Sequence, residues 1–501
     1  MAALAPDTLL LNWLLALPFF AALCVAMFPR FRLHVRSESE AEALRRAPLF
    51  LGALVCFMGV GLSISLFSLT LSGRPVVGDY WWTRDLYHLR FQADALSTLV
   101  VLSVYGLGLL IHLHLAGQPS VDRAHYRGAL LLAAQGCAIG AALSADLIVL
   151  VFFVETALLA LWLLASLDAP RAADRLLFIA HVGGLLLLAG VLIMWHESRD
   201  TSISSLALLP LSAEPKALRL VSVLLLLGLL PCLPGIPCHG WLPALARRSA
   251  PPALAPAVLL PLIAGAALLR LLPGPLALSM IPGVSKLGLI LGLAALWWGA
   301  LRCWLAHDLR RLAAWLTVAQ AGCLLIELGS AADPSAPPLL LRAAALHLLV
   351  APPAVLAVWC AAATVRACVG ADELAGLSRL FLRMPLAGLA LLCGGLSLAG
   401  LPPLAGFHSQ RLLIAGLLEA GRPWLVTAIV SADVLIVIAL LDAFRRAFLR
   451  REPPPPVRWR SPWLSVTLAV VVAALLVPGL WPGLLVPWSD VVHRSVLSVW
   501  P

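Results

Sequence analysis

The chain has 501 residues, of which 61% are hydrophobic and only 12% are charged, and its mean hydropathy is +0.97. Soluble globular proteins carry about 25% charged residues, so this composition excludes a soluble fold and predicts a polytopic all-α membrane protein. The formal net charge of +10 does not indicate nucleic-acid binding, because the basic residues lie in short loops, where they orient helices, and form no basic stripe with interleaved aromatic residues.

Apolar runs long enough to cross a bilayer recur along the whole chain. We predict fourteen transmembrane helices, near 8–28, 48–70, 94–115, 127–144, 146–166, 175–195, 218–235, 251–272, 286–305, 311–330, 338–364, 384–405, 411–443 (with a break near Gly421–Pro423) and 463–485. The first run lacks a positively charged start, so we interpret it as a retained helix rather than a cleaved signal peptide. The segment 71–93, which holds Tyr80, Trp81, Trp82 and Tyr87, is predicted to be a polar loop with an aromatic belt at the outer surface.

The distribution of basic residues predicts the orientation of the chain. Loops that follow odd-numbered spans carry more arginine and lysine than the others, which places both termini on the outer side and the Arg-rich segment 445–460 inside. The tract PPPP at 453–456 is predicted to be a stiff, extended linker. We therefore expect an integral protein of the bacterial inner (plasma) membrane.

Two proline- and glycine-rich stretches interrupt apolar runs at membrane depth. They are LPCLPGIPCHGWLP at 230–243, with Pro234 and Pro237, and GGLSLAGLPPLAGFHSQRLL at 394–413, with Pro402 and Pro403. Broken helices at this depth are tolerated only where protein or a watery cavity satisfies the freed backbone groups. Paired breaks favour a transporter-like fold of inverted repeats. We place the halves at 94–245 and 250–443 of one transmembrane domain, flanked by 1–93 and 444–501.

The ten cysteines are scattered mostly inside apolar runs and form no CxxC pair. Cys232 and Cys238 flank the first break, but two thiols without nearby partners make a poor metal site. We interpret the cysteines as small buried apolar residues and predict neither a metal site nor a redox cofactor in this chain.

Five stretches, taken in chain order, carry a resemblance to a known family. They are ADALSTLVVLSVYGLGLLIHLH, SADLIVLVFFVETALLALWLLASL, IPCHGWLP with the following AP and LIAGAALLR, AHDLRRLAAWLTVAQAGCLL, and LSLAGLPPLAGFHSQRLL. In order and spacing they resemble the antiporter-like proton-translocating subunits of complex I and the Mrp antiporters. The resemblance covers nearly the whole chain and implies a fold with about fourteen helices, two of them broken, and a proton relay along a central hydrophilic axis.

The resemblance also implies which positions form that relay. Glu155 matches the family's fifth-helix glutamate, and His347 matches its distal histidine. The lysine position of the broken seventh helix falls on Leu262, the lysine beyond the histidine falls on Ala351, and the twelfth-helix lysine or glutamate falls on Gln410. All three relay positions therefore lack an ionisable group, and the resemblance implies impaired pumping.

Two further departures agree with this interpretation. The chain has only two lysines, Lys216 and Lys286, among its 35 basic residues, and both lie near predicted helix ends. The family's acid and histidine after WLP are replaced by Ala244, Ala246 and Arg248. Substitution of lysine by arginine would have kept the charge, whereas leucine, alanine and glutamine do not.

Intramembrane ionisable residues are costly and are functional candidates by default. The candidate proton-path residues are Glu155, His181, His239, His347, Gln410 and Glu327. For Glu155, either an ionic role with His181 or an arginine, or a hydrogen-bonded relic that holds helices together, remains open.

Structural alternatives also remain open for the other polar residues. His239 is expected to cap carbonyl groups at the first break, and His408 and Gln410 to satisfy the broken backbone at the second. His181 and His347 fit polar packing as well as a proton path. Glu327 and Asp433 fit side paths to solvent, while Asp94 and Asp308 fit helix N-caps.

The resemblance implies a membrane subunit of a complex I-type NADH–quinone oxidoreductase, within an electron-transport chain, with no redox centre of its own. Its partners would be other membrane subunits, the lipid bilayer and protons, or other ions. The alternative is a membrane partner in an inorganic-carbon uptake system or an Mrp-type cation/proton antiporter. A third possibility is a scaffold that conducts no protons.

Overall fold

The computed structural model describes residues 6–28, 37–71, 75–83, 87–119, 122–203, 215–248, 251–271, 282–333 and 335–498. Its helices, in chain order, are α1 Pro6–Met27, α2 Glu38–Thr70, α3 Ala95–Ala116, α4 Ala124–Leu143, α5 Leu147–Ser166, α6 Pro170–Ser198, α7 Pro215–Leu229, α8 Trp241–Arg248, α9 Pro251–Leu271, α10 Pro282–Trp304, α11 Leu309–Ala331, α12 Pro338–Val369, α13 Pro385–Leu398, α14 Gly406–Glu419, α15 Pro423–Phe444, α16 Pro462–Leu480 and α17 Val486–Ser498. Two strands, β1 Val76–Thr83 and β2 Tyr87–Ala93, lie between α2 and α3.

The predicted all-α membrane fold is confirmed. Within the described ranges, twelve helices are long and apolar enough to cross a membrane, and 219–229 and 385–398 are shorter apolar helices. The predicted count of fourteen spans is not confirmed. The break predicted near Gly421–Pro423 in the run 411–443 is present: α14 ends at Glu419 and α15 begins at Pro423, with Gly421 between them at a φ of +67°.

The two predicted helix breaks are present. Helix α7 ends at Leu229 and α8 begins at Trp241, with Pro234 and Pro237 between them. Trp241 is fully buried, and its Nε1 donates a hydrogen bond to the Pro231 carbonyl at 2.9 Å. A buried carbonyl group outside a helix needs a hydrogen-bond donor other than the helix backbone. At this break, the Trp241 side chain at the start of α8 provides it.

The second break lies between α13 and α14, where Pro402 and Pro403 follow the end of the helix at Leu398. The Gln320 amide on α11 donates to the Leu398 carbonyl at 2.9 Å, and the Gly406 amide donates to Ser397 Oγ at 3.1 Å. The freed backbone groups are thus satisfied by protein side chains, as burial requires.

Helices α9, α11 and α12 are the most buried membrane spans and form the centre of the bundle, whereas α1, α6, α10, α15 and α16 lie at its periphery. Two glycines bring α10 and α11 close together. A methyl group on Gly322 would overlap the backbone of Leu296 and lie 2.6 Å from the Gly292 carbonyl oxygen. Small residues allow membrane helices to approach at this distance.

The segment 71–93, predicted to be a loop, is a β-hairpin in the structure. Strands β1 and β2 pair antiparallel, with Val76 opposite Ala93 and Gly78 opposite Phe91. That prediction was wrong because the segment is rich in valine, tyrosine and tryptophan, which favour strands. The hairpin leads directly into α3.

The two predicted aspartate caps are present. Asp94 Oδ1 accepts a hydrogen bond from the Ser97 amide at 2.8 Å, and Asp308 Oδ1 accepts one from the Arg311 amide at 2.7 Å. Asp94 Oδ2 also accepts a hydrogen bond from Arg270 Nη2 at 2.6 Å. The first cap therefore ties α3 to the end of α9.

The proline tract 453–456 contains neither helix nor strand. Hydrogen bonds fix its path along one end of the bundle, from Ser378 Oγ to the Pro453 carbonyl at 2.8 Å and from Arg383 Nη1 to the Pro455 carbonyl at 3.3 Å. The Arg458 amide donates to the Cys368 carbonyl at 2.7 Å. The linker is thereby held against the end of α12.

Candidate functional site

The first acidic candidate, Glu155, is paired with His181. Glu155 lies in the middle of α5, and its Oε2 is 3.1 Å from His181 Nδ1 on α6. A methyl group on Gly184, one turn after His181, would overlap Glu155 Oε1. The carboxylate therefore lies against the backbone of α6, in space that only a glycine leaves open. Glu155 Oε1 is buried without a hydrogen-bond partner in the described part of the chain.

This pair lies at the surface of the bundle. The His181 side chain is 61% exposed and that of Glu155 is 22% exposed. The residues around them on α6 are apolar and also exposed, among them Phe178, Val182 and Leu185. An ionisable pair facing lipid hydrocarbon would be costly, which makes this face a candidate contact with another protein.

A second glutamate–histidine pair lies in the interior. Glu327 on α11 is fully buried, and its Oε1 is 3.3 Å from Nδ1 of His347 on α12, which is also buried. Glu327 Oε2 has no hydrogen-bond partner among the described residues. Cys323 lies one turn before Glu327 and therefore on the same face of α11.

The interior pair continues toward the second break. Cys323 Sγ is 3.9 Å from Gln410 Oε1 on α14, and Gln410 Nε2 donates to Asp433 Oδ2 on α15 at 2.7 Å. We call Glu327, His347, Cys323, Gln410 and Asp433 the distal cluster; all five are buried. Two carboxyl groups, an imidazole and an amide are therefore connected across four helices.

A small cavity adjoins this cluster. Its volume is about 30 Å³, which is room for about two water molecules. Its wall includes Leu262 of α9, Ala351 of α12 and His347, and most of the remaining lining is apolar apart from Thr317 and Gln320. The two positions for which the resemblance implied lysines thus face one interior space, and no basic group other than His347 lines it.

The assignment of Leu262 to the broken seventh helix was wrong. Leu262 lies on α9, which follows the break and continues as a helix through Pro256 and Pro261. Within the broken segment, Cys232 lies near enough to Glu155 to interact with it electrostatically. The position was taken from the stretch LIAGAALLR, which begins at Leu262 and lies after the break rather than within it.

The basic groups of the interior are few. Lys216 and Lys286 are exposed, near the starts of α7 and α10. Of the arginines whose burial is described, Arg270 and Arg310 are buried, and each forms an ion pair with an aspartate, Asp94 and Asp372 respectively.

The remaining candidates lie apart from these contacts. The His239 ring at the first break is 5.7 Å from the Trp315 ring, and its Nδ1 is buried without a hydrogen-bond partner in the described part of the chain. His408 Nε2 is 3.0 Å from the Gly479 carbonyl at the end of α16.

The expectation that Gln410 satisfies the broken backbone was wrong. Its amide donates a hydrogen bond to Asp433, and the backbone groups at the break are satisfied by Gln320 and Ser397.

Three members of the distal cluster carry groups that ligate metals. The donor atoms of Cys323, Glu327 and His347 lie within 4.8 Å of one another, and thiolate, carboxylate and imidazole are the ligand types that zinc takes. The absence of a metal site stays a prediction from the sequence.

Sequence reasoning missed the connection between Asp433 and Gln410 and the place of Cys323 beside Glu327. The position of Cys323 beside Glu327 could have been predicted, because residues four apart in a helix lie on the same face. For Asp433 the signal was a lone carboxyl group in an apolar run, which must find a partner when buried; which partner it finds depends on helix packing.

Residues 144–436 match a sequence model of the membrane family described as NADH:quinone oxidoreductase/Mrp antiporter. NADH-quinone oxidoreductase subunit N of Desulforudis audaxviator is 28% identical over 374 residues, 73% of each chain. Subunit N of Cereibacter sphaeroides is 31% identical over 401 residues, 78% of this chain and 84% of that protein. A probable K(+)/H(+) antiporter protein of Rhizobium meliloti is 26% identical over 89% of this chain, which spans only 45% of that protein.

The fold is also similar to chains of solved membrane complexes. A chain of the Mrp complex from Dietzia sp. DQ12-45-1b superposes with a TM-score of 0.82 at 20% identity, covering 97% of each chain. A chain of respiratory complex I from Thermus thermophilus with bound NADH gives a TM-score of 0.81 at 21% identity, covering 98% of this chain and 100% of the other. At these identities the likeness establishes the fold.

Proposed function

This chain belongs to the NADH:quinone oxidoreductase/Mrp antiporter family of membrane proteins, and we propose that it is a membrane subunit of a complex I-type NADH–quinone oxidoreductase or a related assembly. NADH and quinone chemistry would take place in other subunits. We further propose that its own proton path is incomplete at the centre of the bundle.

The observation that carries this proposal is the cavity beside His347. A proton relay requires hydrogen-bonding groups within reach of one another, or water between them. The side chains of Leu262 and Ala351 offer neither donor nor acceptor, and the cavity has room for only about two water molecules. Both lysines of the chain are exposed near helix ends, so no ammonium group replaces the missing ones among the described residues.

The distal cluster can still hold and exchange protons locally. His347 and Glu327 can share a proton across their 3.3 Å contact, and Gln410 lies between Cys323 and Asp433. What this arrangement lacks is a basic group to pass the proton toward Glu155, whose hydrogen-bonding partner is His181.

The exposed Glu155–His181 pair supports a neighbouring protein on this face of the bundle. Lipid hydrocarbon offers no hydrogen-bonding groups to an ionisable pair, whereas a neighbouring protein can supply them. We therefore propose that the face of α5 and α6 around His181 packs against another membrane component of the assembly.

The alternative assembly is an Mrp-type cation/proton antiporter or an inorganic-carbon uptake system, in which this chain would be the membrane partner. The similarity to an antiporter protein over 89% of this chain supports it. The apolar lining of the cavity also agrees with a third possibility, a scaffold that conducts no protons.

Purification of the tagged chain from its native membranes in mild detergent tests the assembly. We expect quinone-oxidoreductase subunits to co-purify with NADH–quinone reductase activity, and their genes to neighbour this one. Co-purification of cation/proton antiporter subunits, or of a large zinc protein resembling carbonic anhydrase, without that reductase activity would overturn the respiratory assignment in favour of the alternative.

A further inference from the structure

A second cavity lies at one end of the bundle, away from the proton-path residues. Its volume is about 400 Å³, within the range of about 300–1,000 Å³ that small-molecule sites occupy. It is bounded by the end of α12 and by the beginnings of α13 and α16. Because α12 and α16 are membrane spans, their ends place the cavity at the level of lipid headgroups.

The cavity carries positive charge without any acidic lining residue. Arg383 and Arg460 lie on its rim, and both are exposed. Arg383 is held in place by its hydrogen bond to the Pro455 carbonyl. Two guanidinium groups at one rim can grip a phosphate group from two sides, since each presents several donors in a fixed plane.

The backbone adds to this field. Helices α13 and α16 both begin at the cavity, with Pro385 and Pro462 in their first turns, and neither has a side-chain cap. The amide groups of an uncapped helix N-terminus, together with the helix dipole, favour an anion.

An independent feature of the cavity also points to a ligand. Thr364 of α12 lines it and is only 4% exposed, and its hydroxyl has no hydrogen-bond partner in the described part of the chain. A buried polar group without a partner costs free energy, and a polar ligand in the cavity would supply one.

The other wall of the cavity is apolar. Leu386, Leu464 and Leu468 line it; Leu386 is partly exposed, whereas Leu464 and Leu468 are buried. Nearby, the Trp463 ring packs edge-on against Phe50 at 4.9 Å, as aromatic residues do at membrane interfaces. A ligand that fits must therefore combine an anionic group with hydrocarbon.

We propose that this cavity binds the headgroup of an anionic phospholipid. The phosphate lies between Arg383 and Arg460, a headgroup or glycerol oxygen reaches toward Thr364, and the acyl chains leave the cavity past the partly exposed Leu386. Basic pockets between membrane helices bind anionic headgroups in this way. The site does not depend on the proton path or on which complex the chain joins.

Native mass spectrometry of the purified full-length chain tests the proposal, with dioleoyl phosphatidylglycerol titrated against dioleoyl phosphatidylcholine. We expect phosphatidylglycerol to bind at least tenfold more tightly. Arg383→Gln with Arg460→Gln should weaken it about 30-fold, which corresponds to about 1 kcal/mol for each arginine. The matched control is Arg171→Gln with Arg175→Gln, which removes the same charge from two exposed positions at the start of α6 and should leave binding unchanged.

The variant Thr364→Val distinguishes a headgroup bound inside the cavity from non-specific electrostatic attraction to the arginines. It keeps the side-chain shape and removes the hydroxyl, so we expect about a fivefold loss of phosphatidylglycerol binding. Equal binding of both lipids, equal losses in the arginine variants and their control, or no effect of Thr364→Val would overturn the proposal. Displacement of the lipid by millimolar inorganic phosphate would also overturn it, because the site would then accept a free anion.

Discussion

Two glutamates in this membrane protein share one local arrangement. In Glu155 and in Glu327, one carboxyl oxygen contacts a histidine Nδ1 and the other is buried without a hydrogen-bond partner among the described residues. A carboxyl group with one free oxygen can accept or release a proton without losing its contact to the histidine. The two pairs differ in exposure, since the first lies at the bundle surface and the second in its interior.

The partners of these groups show where prediction from the sequence ends. That Glu155, Glu327 and Asp433 lie in apolar runs is visible in the sequence, and burial obliges each to find a partner. Which partner each finds depends on helix packing: Cys323 and Gln410 are 87 positions apart, and Arg270 and Asp94 are 176 apart. Such contacts follow from the three-dimensional arrangement, which spacing along the chain does not encode.

The Gln410–Asp433 contact predicts that the second break can accommodate a lysine at position 410, where the resemblance implied a lysine or glutamate. Gln410→Lys places an ammonium group beside Asp433, whose Oδ2 is 2.7 Å from the present amide nitrogen. We expect this variant to fold with little change in stability, because the buried charge is paired. When Asp433→Asn is added, the unpaired ammonium should destabilise the chain by about 3 kcal/mol or more.

Thermal unfolding of the purified variants in detergent measures this difference as a double-mutant cycle. Asp433→Asn alone is the control and should cost little, because asparagine can still accept from Gln410. Additive effects of the two substitutions would show that the groups are not in contact.

At the scale of elements, the breaks and caps were accessible to sequence reasoning because proline, glycine and aspartate act locally. The hairpin before α3 was missed because its aromatic residues were interpreted as a membrane-interface belt, although valine, tyrosine and tryptophan also favour strands. Leu262 was assigned to the wrong helix because the stretch LIAGAALLR, which carries the resemblance there, follows the break; α9 continues through Pro256 and Pro261. Neighbouring helices tolerate such prolines in membrane spans.

The close approach of α10 and α11 requires a glycine at position 322. Gly322→Ala would press a methyl group against the backbone of Leu296 and Gly292, and backbone cannot move aside as a flexible side chain can. We expect a loss of about 1–3 kcal/mol from overpacking, measured as a lowered thermal midpoint in detergent.

Gly106→Ala is the matched control for this substitution. Gly106 also lies within a helix, but an added methyl group there meets no atom within 4 Å. Because alanine is the better helix former by about 1 kcal/mol, this variant should be as stable as the parent or more so. Equal midpoints for the two variants would mean that α10 and α11 are not packed backbone to backbone.

Across the whole molecule, the candidate intramembrane glutamates and their partners form two separate sets. The Glu155–His181 pair occupies the α5–α6 face, the distal cluster joins α11, α12, α14 and α15, and Leu262 and Ala351 line the cavity beside His347. The buried arginines are engaged in ion pairs near helix ends. The fold of a proton-translocating family is thus kept, while the groups proposed to connect its two sets are uncharged.

Proton flux through the purified full-length chain in liposomes tests the incomplete path most directly. A pH-sensitive dye inside the liposomes reports influx while valinomycin and a potassium gradient impose a potential, and an uncoupler added at the end gives the maximal signal. We expect an influx no greater than that of protein-free liposomes, because no basic group among the described residues connects the two sets of polar residues. An influx well above that level that is abolished by Glu155→Gln or Glu327→Gln would contradict it, because protons would then cross the apolar centre beside Leu262.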